Sequence, residues 1–175
     1  MTHREAQRAW YVLHTKSRHE SVAHEALAKK RLEVFLPKVS MRSRRRDRKV
    51  MIRAPLFPGY LFVRTDLHPR EHLEIVKTAG VVRLVGTHAG PVPVPPGTVD
   101  SLKIMVATDL PIETGARLRK GERVMVVEGP FSGVAGTFIR YKGQGRVVVH
   151  IEALGRYAAV EVAEEDVERV PDILT

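Results

Sequence analysis

Residues 55 to 63, Pro-Leu-Phe-Pro-Gly-Tyr-Leu-Phe-Val, constrain the fold most, because a tight turn runs directly into a strand that is apolar on both faces. Pro58 fixes its own φ at the first corner of the turn, and Gly59 supplies the positive φ that the second corner needs. Alternation then sends Tyr60 and Phe62 to one face of a sheet and Leu61 and Val63 to the other. Such a strand is either sandwiched in a core, or has core on one side and a docking surface on the other. Half of the chain's Phe, Trp and Tyr residues are Phe57, Tyr60, Phe62 and the pair Trp10-Tyr11. That concentration keeps the docking reading open beside the packed one.

At 175 residues and 43% apolar content, the chain can form one ordinary domain or two small ones around a real core. It has no run of 18 uncharged apolar residues and no signal-peptide pattern, so a soluble, cytoplasmic protein without a membrane partner is expected. The absence of cysteine excludes disulfides, thiolate metal sites and a cysteine nucleophile. The net charge of +9 is unevenly spread. Up to Ala107 there are 20 Lys and Arg against 9 Asp and Glu, whereas from Thr108 onward there are 9 against 11. A basic half joined to a slightly acidic half implies two modules, of which the basic one suits a polyanion.

Residues 9 to 15 read as a first strand. Ser17 stands three residues before Glu20, the spacing of a capping box, and Val22, Ala23, Ala26 and Leu27 continue at helical period, which predicts a helix over about 18 to 31. Residues 33 to 39 are strand-like apart from Pro37. Six of the eight residues from 42 to 49 are basic: Arg42, Arg44, Arg45, Arg46, Arg48 and Lys49. Apolar residues on both sides make this run the projecting tip of a hairpin. It is either a solvated loop or a phosphate-binding tip, and clustered cations that repel one another favour phosphate.

Pro69 opens a second helix, with Leu73, Val76 and Ala79 inside it and Gly80 as its stop. Residues 81 to 85 are a strand, 86 to 96 a proline-rich loop, and Thr98 caps a third helix with Val99, Leu102, Met105 and Val106 buried. The first module, 1 to 107, is therefore an α/β sandwich with a mostly antiparallel sheet. Residues 108 to 120 lack periodicity and read as a linker. From 121 to 175, five short valine-rich strands between glycines describe a small β-barrel, so the whole chain is of the α+β class.

Catalytic chemistry finds no footing. His68-Pro69-Arg70-Glu71-His72 matches an inverted zinc-protease spacing, but Pro69 leaves His68 at the helix cap, where both imidazoles cannot face one metal. No phosphate-cradling glycine loop and no serine elbow occurs. No enzymatic activity, metal or cofactor is expected.

These residues together resemble the NusG family of transcription elongation factors. Trp10-Tyr11-Val12-Leu13, Lys16-Ser17-Arg18-His19-Glu20 and Phe57-Pro58-Gly59-Tyr60 look like its N-terminal domain, and Gly121-Glu122-Arg123-Val124, Glu128-Gly129-Pro130-Phe131 and Leu154-Gly155-Arg156 look like its KOW domain. The resemblance implies docking on the clamp of the RNA polymerase large subunit through Trp10, Tyr11, Phe57, Pro58, Tyr60 and Phe62. It also implies contact with DNA or nascent RNA near the polymerase through Lys16, Arg18 and the basic run. The KOW domain of the family recruits Rho or ribosomal protein S10, here through Phe131, Val134, Leu154 and Arg156. Val134 and Leu154 replace phenylalanines typical of the housekeeping factor, and residues 55 to 63 look closer to specialised RfaH-like or LoaP-like paralogues. A monomer is expected. The β-branched run at 146 to 151 implies a permanent barrel rather than one that refolds into helices. The alternative is a free-standing KOW-type RNA-binding protein associated with ribosomes.

Overall fold

The computed structural model describes residues 8 to 44, 50 to 115, 121 to 141 and 143 to 170. The chain divides into two compact units, Met1–Pro95 and Pro96–Thr175.

The first unit is built on β1 (Ala9–Thr15), α1 (Glu20–Lys29), β2 (Glu33–Phe35), β3 (Lys38–Arg42), β4 (Met51–Pro55), β5 (Tyr60–Thr65), α2 (Pro69–Val76), β6 (Val81–Leu84), β7 (Gly86–Thr87), β8 (Gly90–Pro91) and β9 (Pro93–Val94). Its main sheet is antiparallel in the order β2-β5-β1-β6, and β9 also pairs with β1. β1 is central because Val12, Leu13 and their neighbours are apolar on both faces, which only a covered strand tolerates. On the helix side, Tyr11, Leu13, Leu61 and Val63 pack with Ala23 and Leu27 of α1 and Ile75 of α2. β3 and β4 form a separate two-stranded ribbon. It leaves the main sheet at Pro37, which lacks the N–H that would continue β2.

Three local expectations change. α1 starts at Glu20 behind His19, with no side-chain cap bond, because Arg18 adopts φ 61° and Ser17 falls outside the helix. α2 ends at Val76, and its single buried residue is Ile75, while Leu73 and Ala79 are exposed. A helix this short turns only one position fully onto the sheet. Pro69 does sit at its start with His68 as the cap, whose Nδ1 accepts from the Arg70 N–H. Residues 86 to 96 are also more than loop, since Val94 lies opposite Trp10 in the ladder.

The second unit comprises α3 (Pro96–Val106), β10 (Glu113–Gly115), β11 (Glu122–Val126), β12 (Ala135–Tyr141), β13 (Gln144–Ile151), β14 (Arg156–Glu161) and β15 (Val167–Arg169). The strands form one antiparallel sheet in the order β10-β14-β13-β12-β11-β15. The run expected to be β is β, and Val147, Val148 and Val149 are all buried. Burial of consecutive residues requires cover on both faces, and α3 supplies it by packing on β12 and β13. Val99, Ser101, Leu102 and Met105 are its buried residues. Ser101 accepts the Ala135 N–H at 3.1 Å, and Ile104 lies so close to Gly133 that a Cβ there would meet it at 2.9 Å. α3 thus groups with the second unit rather than ending the first at 107. Part of the expected linker is likewise ordered as β10, paired with β14. The α+β class, with an antiparallel α/β unit followed by a β unit, stands.

Candidate functional site

The turn between β4 and β5 is held by hydrogen bonds from within and from outside it. Tyr60 N–H donates to the Phe57 carbonyl at 3.1 Å, closing a turn with Pro58 and Gly59 at its corners, and Gly59 takes φ 86°. This is the type II geometry that the dipeptide demands. Two further bonds clamp Gly59 from outside the turn. Its carbonyl accepts from the Thr15 N–H at 2.8 Å, and its N–H donates to Glu20 Oε1 at 2.7 Å. Glu20 is only 8% exposed, so the carboxylate is committed to this bond. The residue read as half of a capping box instead ties the start of α1 to the turn. No signal in the sequence distinguishes the two uses, because the donor lies 39 positions away.

The clamp sets what the turn displays. Pro58 is exposed, Tyr60 is half-buried, and its ring stacks on His14 with centroids 5.2 Å apart. Phe57 is buried, and Phe62 is buried against the Phe35 ring at 5.9 Å. Trp10, Val12 and His14 share the sheet face of Tyr60 and Phe62, as the register of β1 on β5 requires. Tyr11 points the other way, into the core under α1 and α2. The structure therefore brings Trp10, Tyr60 and Phe62 onto one sheet face and separates Tyr11 from them, but Trp10 and Phe62 are buried on that face, and Tyr60 and Pro58 are the members that reach the surface. His14, absent from the sequence-based set, belongs to it; alternation from Trp10 signals this.

Among the basic candidates, Lys16, Arg18, Arg42 and Arg44 are exposed, while Arg45, Arg46, Arg48 and Lys49 lie outside the described residues. Arg53 on β4 is exposed beside them, opposite Ser40 in the ribbon.

In the second unit, Phe131 and Val134 are buried in the loop that meets α3. Leu154 is half-buried in a 3-10 turn that ends at Gly155, with φ 59°, and Arg156 is exposed at the start of β14. The structure does not gather these four into one open surface. A cleft of about 600 Å³ has Leu110, Pro111, Phe131, Phe138 and Val162 among its apolar lining, with the Arg140–Glu164 ion pair at its rim. Among the described residues, no cluster of His, Asp and Glu could hold a metal ion, and no helix is long and apolar enough to cross a membrane.

The family model described as "Transcription termination factor nusG" matches residues 8–103, which spans the main sheet, the clamped turn and most of α3. The chain belongs to the NusG family. The transcription termination/antitermination protein NusG of Thermus thermophilus is 31% identical over 173 residues, covering 87% of this chain and 94% of that protein. Its counterpart in Deinococcus radiodurans is 30% identical, with the same coverage. A solved structure concerned with domain interaction in Thermotoga maritima NusG covers 95% of this chain and 99% of its own, with a TM-score of 0.55 at 21% identity, a likeness of fold.

Proposed function

We propose that this chain is a non-enzymatic transcription elongation and antitermination factor. In this reading the first unit docks on RNA polymerase, on the clamp of the large subunit. The supporting observation is the clamped turn. An exposed proline and a stacked His14–Tyr60 pair are presented by a backbone held from two sides, so little conformational entropy is lost when a partner covers them. The basic β3–β4 ribbon contacts DNA or RNA near the polymerase, and the second unit recruits a further protein, of which Rho and ribosomal protein S10 are the candidates.

The test is polymerase binding by Tyr60→Ala beside its melting curve. A half-buried aromatic anchor contributes about 2 kcal/mol, so affinity should fall by roughly 30-fold while the fold persists. A collapse of the melting transition would make Tyr60 a core residue and remove the centre of the docking surface.

A further inference from the structure

The cleft in the second unit is built from the sheet itself. Phe138, Arg140, Gly145, Val147 and Val160 share one sheet face, as the register of β12 on β13 and of β13 on β14 requires. Val147 and Val160 are buried along that face, whereas Phe138, nearer the strand ends, is half-buried. Val162 carries the ladder past β14, its N–H donating to the Gly145 carbonyl at 3.0 Å. The Phe138 ring occupies the space over Gly145, where a Cβ would meet it at 2.8 Å. Leu110 and Pro111 add an apolar wall around a volume of about 600 Å³, within the range of ordinary ligand pockets. Leu110 is 46% exposed, so this wall is left in water in the free chain. The described lining also holds three carboxylates, Glu161, Glu164 and Glu165, against one cation, Arg140, which Glu164 already pairs. Glu161 and Glu165 are exposed, and neither makes an ion pair among the described residues.

We infer that this cleft holds a short segment of a partner protein in which an apolar side chain is flanked by lysine or arginine. The inference goes beyond the recruiting role proposed above, because it adds a site at the opposite end of β13 and β14 from Leu154 and Arg156. Charge complementarity selects the occupant. Carboxylates in excess repel phosphate, so a nucleic acid is turned away and a cation is drawn in. The acidic excess of the chain from Thr108 onward acts in the same direction. The apolar lining asks for a ligand that also brings an apolar group, since covering Leu110, Pro111 and Phe138 removes their surface from water. A peptide carries both on one backbone. Its anchor enters between Leu110 and Phe138, and the long stems of Lys or Arg on either side reach over the rim toward Glu161 and Glu165.

The experiment titrates the isotope-labelled full chain with three capped peptides, Arg-Lys-Leu-Lys-Arg, Arg-Lys-Ser-Lys-Arg and Glu-Glu-Leu-Glu-Glu, and follows backbone amides by NMR. The leucine peptide with basic flanks should shift the amides of Gly145, Val162 and Glu165 saturably. The serine peptide should bind there about tenfold more weakly, and the acidic peptide should leave these amides unmoved. Glu161→Gln with Glu165→Gln should weaken the basic leucine peptide about fivefold and flatten its salt dependence. Leu110→Ser, at an exposed position, should weaken it about threefold. The inference is overturned if the leucine and serine peptides bind alike, if the shifts gather at Leu154 and Arg156 instead, or if no amide of the second unit moves at millimolar peptide. It is equally overturned if the unaltered chain shows the same shifts by itself as its concentration rises, because a second copy then fills the cleft. The comparison of peptides needs no substitution, so it decides the matter even where a variant misfolds.

Discussion

Replacing Glu20 with alanine removes the bond that reaches the Gly59 N–H from α1. A hydrogen bond to a charged acceptor contributes about 1.5 to 3 kcal/mol, and part of that is offset because the carboxylate no longer needs to be desolvated. A net loss of about 1.5 kcal/mol follows, equivalent to roughly 6 to 12 °C in the melting temperature of a unit this size. Glu20→Gln retains a neutral acceptor and should lose about half as much. The more specific readout is amide exchange. Gly59 is protected by the clamp, and its N–H should exchange about tenfold faster in the alanine variant, while amides in the middle of β1 slow or quicken only with global stability. Polymerase affinity should fall along with Gly59 protection, since a looser turn must be ordered on binding. If Glu20→Ala leaves both the melting temperature and Gly59 exchange unaltered, the carboxylate does not hold the turn and the pre-organisation argument is refuted.

Gly59→Ala should cost about 1 to 2 kcal/mol in thermal unfolding although the space for a methyl is open, because the strain lies in φ. Gly115→Ala should destabilise the second unit by about 1 to 3 kcal/mol, since a Cβ would meet the Tyr157 ring at 2.5 Å, and Tyr157→Ala in the same chain should restore part of the loss. Ser101→Ala, which orphans the Ala135 N–H, should cost about 1 to 2 kcal/mol in chemical denaturation. Arg42, Arg44 and Arg53 replaced together by alanine should reduce the slope of log affinity for DNA against log salt by roughly one unit per lost phosphate contact.

Local chemistry was legible in the residues and long-range pairing was not. Pro58-Gly59 encodes its turn, a β-branched run encodes β13, and Pro69 encodes the start of α2, because each depends on the residue's own backbone preferences. Glu20 was misread because a carboxylate near a helix start has a local use by default, and the competing donor is remote in sequence. β9 was missed because Pro93 and Pro95 signal loop, yet two ladder positions at Val94 and Pro93 fit beside β1. The grouping of α3 with the second sheet depends on Ser101 and Ile104 meeting a segment about thirty residues on, and its apolar stripe alone cannot name which surface it covers. Tyr11 was separable from Trp10 by alternation alone; adjacency of two aromatics obscured it.

β10 lies on the outer side of β14, with Glu113, Thr114 and Gly115 opposite Ala159, Ala158 and Tyr157. Without it, β14 would be a sheet edge whose central residues are small and apolar, with backbone donors and acceptors facing water. Such an edge is a template for strands of other molecules. The segment ahead of β11 therefore covers an edge of the sheet. In a fragment beginning at residue 96, which keeps α3, Glu113→Pro with Thr114→Pro should cause self-association as concentration rises, whereas the unaltered fragment should sediment as a monomer.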